Sequence, residues 1–220
     1  MLKKSLTSFD LKIIAIIAML IDHIGTVFIE YPIVIPFRII GRITAPVMAF
    51  FIVEGYHYTK DVNKYIKRLF IFALISQVPF MLLFGNKLNV LFTYLIAIII
   101  LEFFYKIEDK FISISFISIL LTLSLLTDWG IIGVLFVLIF HIFRENKIRK
   151  LLCFSLIVIS NSIYLCISSS LINIISLASL FAIIFILLYN NKRGKKLKYF
   201  FYAFYPIHML ILFLIKYLIK

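Results

Sequence analysis

Residues 88–105 read LNVLFTYLIAIIILEFFY and contain one acidic residue, Glu102. An α-helix of about 20 predominantly apolar residues crosses the hydrocarbon core of a bilayer. The run from Leu95 to Leu101 is apolar at every position, whereas a membrane β-strand alternates lipid-facing apolar residues with polar ones. The stretch therefore predicts a membrane-spanning helix and argues against a barrel strand.

The rest of the chain has the same character. Of its 220 residues, 64% are hydrophobic and 15% are charged, and the mean hydropathy is +1.12. Soluble domains contain about 45–50% apolar and ~25% charged residues. A soluble fold could not bury this much apolar surface, so the composition excludes a water-soluble enzyme, a disordered chain and a disulfide scaffold. It predicts an all-α, polytopic transmembrane helical bundle.

Nine apolar segments are candidate spans, with eight or ten as alternatives because several are short or adjoin a neighbour. They are 11–29, 36–58, 66–84, 88–105, 111–127, 130–143, 151–167, 171–189 and 199–218. The connections between them are too short for a separate soluble domain. Residues 1–220 are therefore expected to form a single integral membrane domain.

The net charge of +13 would suggest a nucleic-acid partner in a soluble protein. Here 18 of the 23 Lys and Arg residues fall in the N-terminal segment and in four alternate loops. These segments are 1–12, 59–68, 106–110, 144–150 and 190–198. The positive-inside rule places them in the cytoplasm, with the N-terminus inside and the C-terminus outside. The charge thus indicates topology, with attraction of an anionic cosubstrate as an alternative, secondary role of the basic loops. No nucleic-acid partner is expected.

Ionisable residues within spans are costly, by about 2.5–3.5 kcal/mol each on insertion scales, and they persist where they pair or perform a function. The first two spans hold most of them. MLIDHIGTVF contains Asp22 and His23, and FRIIGRITAPVMAFFIVEGYHYT contains Arg38, Arg42 and Glu54. The sequence has no P-loop, no GxGxxG motif and no Cys/His spacing typical of a metal site, so no metal is expected.

A helical hairpin brings these polar residues together. Asp22 precedes Glu30 by eight residues and Arg42 follows Ile35 by seven, so both lie ~10–12 Å below the outer surface at 1.5 Å per residue. Arg38 and Arg42 are four residues apart and share a helical face. The pattern predicts a fork of Arg38 and Arg42 that faces the Asp22 carboxylate, and Pro46 is expected to loosen and kink the middle of the second span.

Two interpretations of this cluster remain open. In one, an Asp22–Arg42 ion pair stabilises the hairpin and His23 is a packed, hydrogen-bonded side chain. In the other, His23 is a general base oriented by Asp22, since histidine titrates near neutral pH. The arginines would then hold a phosphate or stabilise a developing oxyanion.

Three further positions have a structural and a functional interpretation. Glu54 is an interfacial acid paired with loop lysines, or part of a site. Asp128, in the TDWG sequence at a predicted external turn, is a helix N-cap or a ligand-binding group. His208 lies in the last span two residues after Pro206, as a packing histidine or as a site residue.

The sequence blocks that carry these residues resemble the TraX family over essentially the whole chain. The blocks are LKIIAIIAMLIDHIG, the 37–80 segment with its GR-x-x-x-P and EGY-x-Y-T motifs, LNVLFTYLIAIIILEFFYK, TDWGIIGVLFVLIFHIFR and KYFFYAFYPIHMLILFLI. TraX is known for N-terminal acetylation of conjugative pilin, and the family is distantly similar to integral-membrane acyltransferases. The resemblance implies a bacterial inner-membrane acetyltransferase.

On that basis, an acetyl group is expected to pass from cytosolic acetyl-CoA to an extracytoplasmic exported peptide, pilin, lipoprotein or surface sugar. His23, Asp22 and Arg42 are expected to be catalytic, with His23 as base or acetyl carrier. The remaining expectations are cofactor binding by Arg38, Arg42, Glu54 and Tyr56, and substrate binding by Asp128, Trp129 and His208. The alternatives are an ion or solute transporter, whose paths also use intramembrane acids and histidines, and a non-catalytic membrane scaffold.

Overall fold

A computed structural model describes residues 5–219, and they form a bundle of helices. The helices are α1 Ser8–Phe28, α2 Ile35–Gly41, α3 Thr44–Tyr58, α4 Val62–Phe84, α5 Val90–Lys106, α6 Lys110–Ser124, α7 Gly130–Ile142, α8 Lys147–Ser168, α9 Ala182–Leu188 and α10 Lys198–Ile219. A 3₁₀ helix over Leu171–Phe181 leads into α9. The nine predicted segments coincide with these elements to within four residues. The all-α helical class is confirmed.

Within the described residues, five helical stretches are long and apolar enough to cross a bilayer, namely Ser8–Phe28, Ile35–Tyr58, Val62–Phe84, Lys147–Ser168 and Tyr199–Ile219. Their outer faces expose large apolar side chains, such as Val78 of α4 and Ile163 of α8. Such faces suit lipid, so the chain is a multi-pass membrane protein.

The two ends of the bundle differ in the number of basic residues in their loops. The loops at 59–61, 107–109, 143–146 and 189–197 lie at one, here called the basic end. The loops at 29–34, 85–89 and 125–129 lie at the other, here called the outer end. The assignment of the basic end to the cytoplasm stays a prediction from charge.

Local sequence explains where several helices begin. A side chain before the first turn accepts a hydrogen bond from a backbone N–H that has no partner within the helix. The residues that do this are Thr7, Asp61, Asn89, Asp109, Asn146 and Ser170. At α1 the Asp10 carboxylate also accepts from the Thr7 N–H, which completes a capping box.

The expected interruption of the second span lies at Arg42 and Ile43, between α2 and α3. Pro46 explains it, because proline has no N–H to bond the Arg42 carbonyl four residues earlier. Pro46 itself lies in the first turn of α3, where proline is tolerated. Arg42 and Ile43 keep helical backbone angles, so α2 and α3 together form one apolar stretch over Ile35–Tyr58. Gly41 at the end of α2 packs on α1, and α3 contributes buried residues to the core.

The core lies around α3, α5 and α7. Phe50 and Phe51 of α3, Tyr94 of α5, and Phe136 and Phe140 of α7 are all buried. The Phe50 and Phe140 rings meet edge to face with centroids 5.8 Å apart. A smaller cluster of Phe80, Tyr205 and Met209 joins α4 to α10 and fixes the middle of α10.

Two glycines let α1 and α2 approach closely. A Cβ on Gly25 would be 2.5 Å from the Phe37 Cβ, and a Cβ on Gly41 would overlap the Asp22 side chain. Real Cβ atoms do not approach other atoms so closely, so both positions require glycine. This contact fixes the height of Asp22 relative to α2.

Gly41→Val is therefore expected to force the two helices apart. Overpacking of this kind costs about 1–3 kcal/mol. Thermal unfolding of the purified protein in detergent should show a lower Tm for Gly41→Val than for the wild type. Ile40→Val is the matched control, because the neighbouring Ile40 is 43% exposed on the surface of the bundle. An unchanged Tm for Gly41→Val would contradict the packing described here.

Candidate functional site

One face of α1 lines a large cavity through the bundle. Its volume is ≈ 1440 Å³. The α1 residues on that face follow one another at intervals of three or four, as one helical face requires. They are Ser8, Lys12, Ile16, Met19, His23 and Thr26. The 18 residue steps from Ser8 to Thr26 advance about 27 Å, close to the ~30 Å hydrocarbon thickness of a bilayer.

Most of the charged residues that line the cavity are at its two ends, and much of the wall between them is apolar. Asp22, His23, Arg38, Arg42 and Asp128 line the outer end. The side chains that line the basic end are Lys12, Glu54, Arg68, Arg193, Lys195 and Lys196. The cavity thus joins the predicted catalytic cluster to a basic mouth on the opposite side.

At the outer end, Asp22 pairs with Arg38. The Arg38 Nη1 donates to Asp22 Oδ1 at 2.9 Å and to Thr26 Oγ1 at 2.8 Å. Both arginines were predicted to face this carboxylate, and the ion-pair interpretation named Arg42 as the partner; in that detail it is wrong, because the partner is Arg38. Because Gly41 lies against Asp22 and the helix ends there, Arg38 reaches the carboxylate and Arg42 is carried past it.

Arg42 still faces the cavity. Its guanidinium lies over the Trp129 ring, 6.0 Å from the centroid, a cation–π contact. Its Nε is buried and has no hydrogen-bond partner among the described residues. A buried donor without a partner is costly, so Arg42 has a free hydrogen bond to offer a bound molecule.

His23 bonds to His208, 185 positions away in the sequence. His23 Nδ1 and His208 Nε2 are 2.8 Å apart, and the rings stack with centroids 5.0 Å apart. His208 Nδ1 is 2.8 Å from the Phe204 carbonyl oxygen. A carbonyl only accepts, so His208 Nδ1 carries its proton and its Nε2 accepts from the His23 Nδ1–H. This chain leaves the His23 Nε2 with its lone pair free.

The residue that orients His23 is therefore His208 rather than the expected Asp22, whose carboxylate bonds to Arg38. His208 is 4% exposed and is flanked by the Tyr205–Met209 packing of α10. A rigid, buried partner of this kind fixes the tautomer and the ring plane of a general base, as the third member of a catalytic triad does.

Asp128 and Trp129 lie in the turn before α7. The turn is held to the α4–α5 connection by Leu88, whose carbonyl accepts from the Asp128 N–H at 2.8 Å. The N-cap of α7 is Trp129, without a side-chain hydrogen bond, so Asp128 does not cap the helix. Both residues instead line the cavity.

The Asp128 side chain is exposed, but its exposed surface faces the cavity, with protein around it. This loss of bulk water raises the pKa of Asp128, and the nearby charges of Lys87, Arg38 and Arg42 oppose the rise only in part.

Glu54 and Tyr56 separate at the basic end. Glu54 lines the cavity and accepts from Arg144 Nε at 3.1 Å, the interfacial ion pair expected as one alternative, with an arginine in place of a lysine. Tyr56 faces α5, where its hydroxyl donates to Glu102 at 2.7 Å, and it is not part of the cavity wall. The expected cofactor contact of Tyr56 therefore has no support in its position.

The sequence interpretation assigned none of the basic side chains of this end of the cavity wall, including Lys12, Arg68 and Arg193, to a site. It treated the basic loops mainly as topology signals, with attraction of an anionic cosubstrate as a secondary role. A usable signal was present for Lys12, because its spacing from Ile16, Met19 and His23 places it on the same helical face as the histidine.

Most of the chain also matches a known protein family. Residues 8–216 match the model of the family described as TraX protein. The chain belongs to the TraX family. This confirms the resemblance found in the sequence blocks.

Two relatives extend the TraX comparison. A probable fimbrial assembly protein FimC, serogroup H1, of Dichelobacter nodosus is 31% identical in an alignment of length 233 that covers 94% of each chain. An uncharacterized protein of Rickettsia prowazekii (strain Madrid E) is 34% identical in an alignment of length 156 that covers 66% of this chain and 59% of the relative. No solved structure matches.

The raised pKa of Asp128 predicts a pH-dependent stability. The protonated carboxyl of Asp128 contributes fully to the free energy of unfolding at pH values below the ordinary pKa of aspartate. This contribution is lost as the pH rises through the raised pKa of Asp128 in the folded protein. Asp128→Asn should therefore have a higher Tm than the wild type at pH 8, and the difference should shrink as the pH falls toward 5. Thermal unfolding across that range measures it.

Asp61→Asn is a control for which a change in Tm of the opposite sign is expected. The Lys64 backbone N–H donates to Asp61 and lowers its pKa, so removal of this carboxylate should lower the Tm most at neutral pH. A wild type more stable than Asp128→Asn at pH 8 would contradict the assignment for Asp128.

Proposed function

We propose that this TraX-family protein is a membrane-embedded acetyltransferase. It takes an acetyl group from acetyl-CoA at the basic end, in the cytoplasm, and passes it to an acceptor at the outer end. One observation carries the proposal: the cavity that contains the free Nε2 of His23 is also lined by the cationic side chains of the basic end. A thioester bound from the basic side can therefore meet an acceptor from the other side at one imidazole.

The proposed chemistry uses His23 as a general base. Its Nε2 accepts the proton of the acceptor amine or hydroxyl while the acceptor atom attacks the thioester carbonyl carbon. The carbon–sulfur bond then breaks, and His23 returns the proton to the departing thiolate. His208 holds the imidazole in place throughout. Transfer through an acetylated His23 is the alternative sequence of steps at the same atom.

Arg42 is the proposed oxyanion group. Charge develops on the carbonyl oxygen during attack, and a donor already in place stabilises it. Arg42 has an unpartnered Nε and is held by the Trp129 ring, whereas the Arg38 guanidinium is engaged by Asp22 and Thr26. The Asp22–Arg38 ion pair therefore has a positioning role: it holds the 29–34 loop and the end of α2, which is followed directly by Arg42.

The proposed acceptor is extracytoplasmic and is held by Asp128 and Trp129. A carboxylate beside an aromatic face suits a peptide amine, and it also suits a sugar hydroxyl. The D. nodosus relative is named for fimbrial assembly, which supports an exported peptide such as a pilin or a lipoprotein N-terminus. The bacterial inner membrane is the location that satisfies both a cytosolic donor and an exported acceptor.

A transport function is the rival class. The interruption between α2 and α3 beside buried ionisable residues is a feature of transporters. Flux of an ion or solute through proteoliposomes without acetyl-CoA would favour it, and the acetyltransferase proposal predicts none.

The direct test is incubation of purified protein with labelled acetyl-CoA and mixed exported peptides, lipoproteins and surface glycans, followed by mass spectrometry. The wild type should transfer label. His23→Ala should lose at least about 100-fold in rate, because general-base contributions are of that size or larger. His208→Ala should lose activity as well, since His23 then has no partner for its Nδ1–H.

His57→Ala is the matched control, because His57 is an exposed histidine at the basic end and is not part of the cavity wall. It should transfer label at the wild-type rate. All variants should elute as the wild type does in size exclusion. Wild-type turnover by His23→Ala would refute the catalytic assignment.

A further inference from the structure

The basic mouth of the cavity is a fixed structure. The loop at 189–197 is tied to the start of α1 by main-chain hydrogen bonds: Ser8 N–H donates to the Lys192 carbonyl at 2.8 Å and Phe9 N–H to the Arg193 carbonyl at 3.2 Å. Gly194 has a positive φ of 68° and lies directly against Thr7, where a Cβ would overlap the Thr7 hydroxyl. The loop therefore presents its side chains from a defined position.

Five cationic side chains converge on this mouth. Arg193, Lys195 and Lys196 come from the loop, Lys12 from α1 and Arg68 from α4. The Lys12 Nζ lies between two aromatic rings, 5.0 Å from the Phe51 centroid and 5.7 Å from the Phe201 centroid.

Positive charge exceeds negative charge at this mouth, because the five cations lie near only two carboxylates of the described residues, those of Asp10 and Glu54. Within residues 5–219 none of the five forms an ion pair with a carboxylate. The nearby acids are engaged elsewhere, Asp10 in the α1 capping box and Glu54 with Arg144. The Arg68 Nε is buried without a hydrogen-bond partner among the described residues. An excess of cations around a concave, partly apolar space focuses a field that attracts a polyanion.

We infer that this mouth, formed by Lys12, Arg68, Arg193, Lys195 and Lys196, binds the phosphate groups of the acyl donor. The ligand chemistry is a phosphorylated headgroup on a long, mostly uncharged arm. The inference rests on the proposed function, because it assigns a place to the donor's phosphates in the same cavity.

Length supports the assignment. Lys12 and His23 are 11 residues apart on one face of α1, which is about 16 Å along the helix. About thirteen bonds separate the diphosphate from the sulfur of coenzyme A, and at ~1.25 Å of projected advance each they span about 16 Å. Phosphates held near Lys12 therefore place the thioester at the His23 imidazole.

The experiment measures binding without chemistry. Purified protein in neutral-lipid nanodiscs is titrated with coenzyme A and, separately, with pantetheine, which has the arm but no phosphate. Coenzyme A should bind at least tenfold more tightly, and its affinity should fall as salt rises. Arg68→Gln/Lys195→Gln/Lys196→Gln should lower coenzyme A affinity at least tenfold and leave pantetheine binding unchanged.

Lys192→Gln is the matched control. Lys192 belongs to the same loop and is exposed, but its side chain is not part of the cavity wall. It should bind coenzyme A as the wild type does. Unaltered coenzyme A affinity in the triple variant would overturn the assignment. So would a loss that occurs only in nanodiscs with anionic lipid, since the cations would then serve a lipid headgroup.

Failure of the phosphate-binding inference can be distinguished from failure of the proposed acetyltransferase function. Phosphate-dependent binding by a protein that transfers no acetyl group would support the mouth and refute the acetyltransferase. Acetyl transfer with unchanged KM for acetyl-CoA in the triple variant would refute the mouth and leave the acetyltransferase standing.

Discussion

Gly41 lies directly against the Asp22 side chain, and Gly25 lies against the Phe37 side chain, so the backbone of each helix packs on a side chain of the other. The helix break at Arg42 follows immediately. Together these features place the Asp22–Arg38 pair beside Thr26, direct Arg42 toward Trp129, and leave the next α1 residue, His23, facing α10. Without this close packing of the two helices, the outer-end cluster would not form.

The distribution of charge follows from the cost of placing ions in a bilayer. An apolar exterior contacts lipid, and the ionisable side chains turn inward to a cavity and to one another. Much of the cavity wall between its ends is apolar. That wall can accommodate an uncharged arm, while the ends bind charged groups. The same arrangement serves stability, because each buried charge has a partner or faces the cavity.

Much of the fold was predictable because spans of this length and apolarity have few alternatives in a bilayer. Pro46 likewise predicted the helix break. The partner of Asp22 was not predictable from residue counts, because it depends on a shift of less than one helical turn between α1 and α2. The contact between Gly41 and the Asp22 side chain sets that shift. The His23–His208 bond joins the first and last helices, and local patterning does not determine which distant helices meet. Tyr56 shares a motif with Glu54 but faces another helix, because residues two positions apart on a helix point about 200° apart.

The central claim is that one cavity connects a donor on the basic side with an acceptor on the other. The measurement that tests it most directly uses sealed inverted membrane vesicles, whose cytoplasmic face is outside, with the acceptor enclosed. Labelled acetyl-CoA is added outside, and the enclosed acceptor is recovered after protease treatment of the exterior. Label is expected on the enclosed acceptor, and none is expected in right-side-out vesicles given the same external donor. Label that appears only on acceptor added to the donor's own side would contradict it.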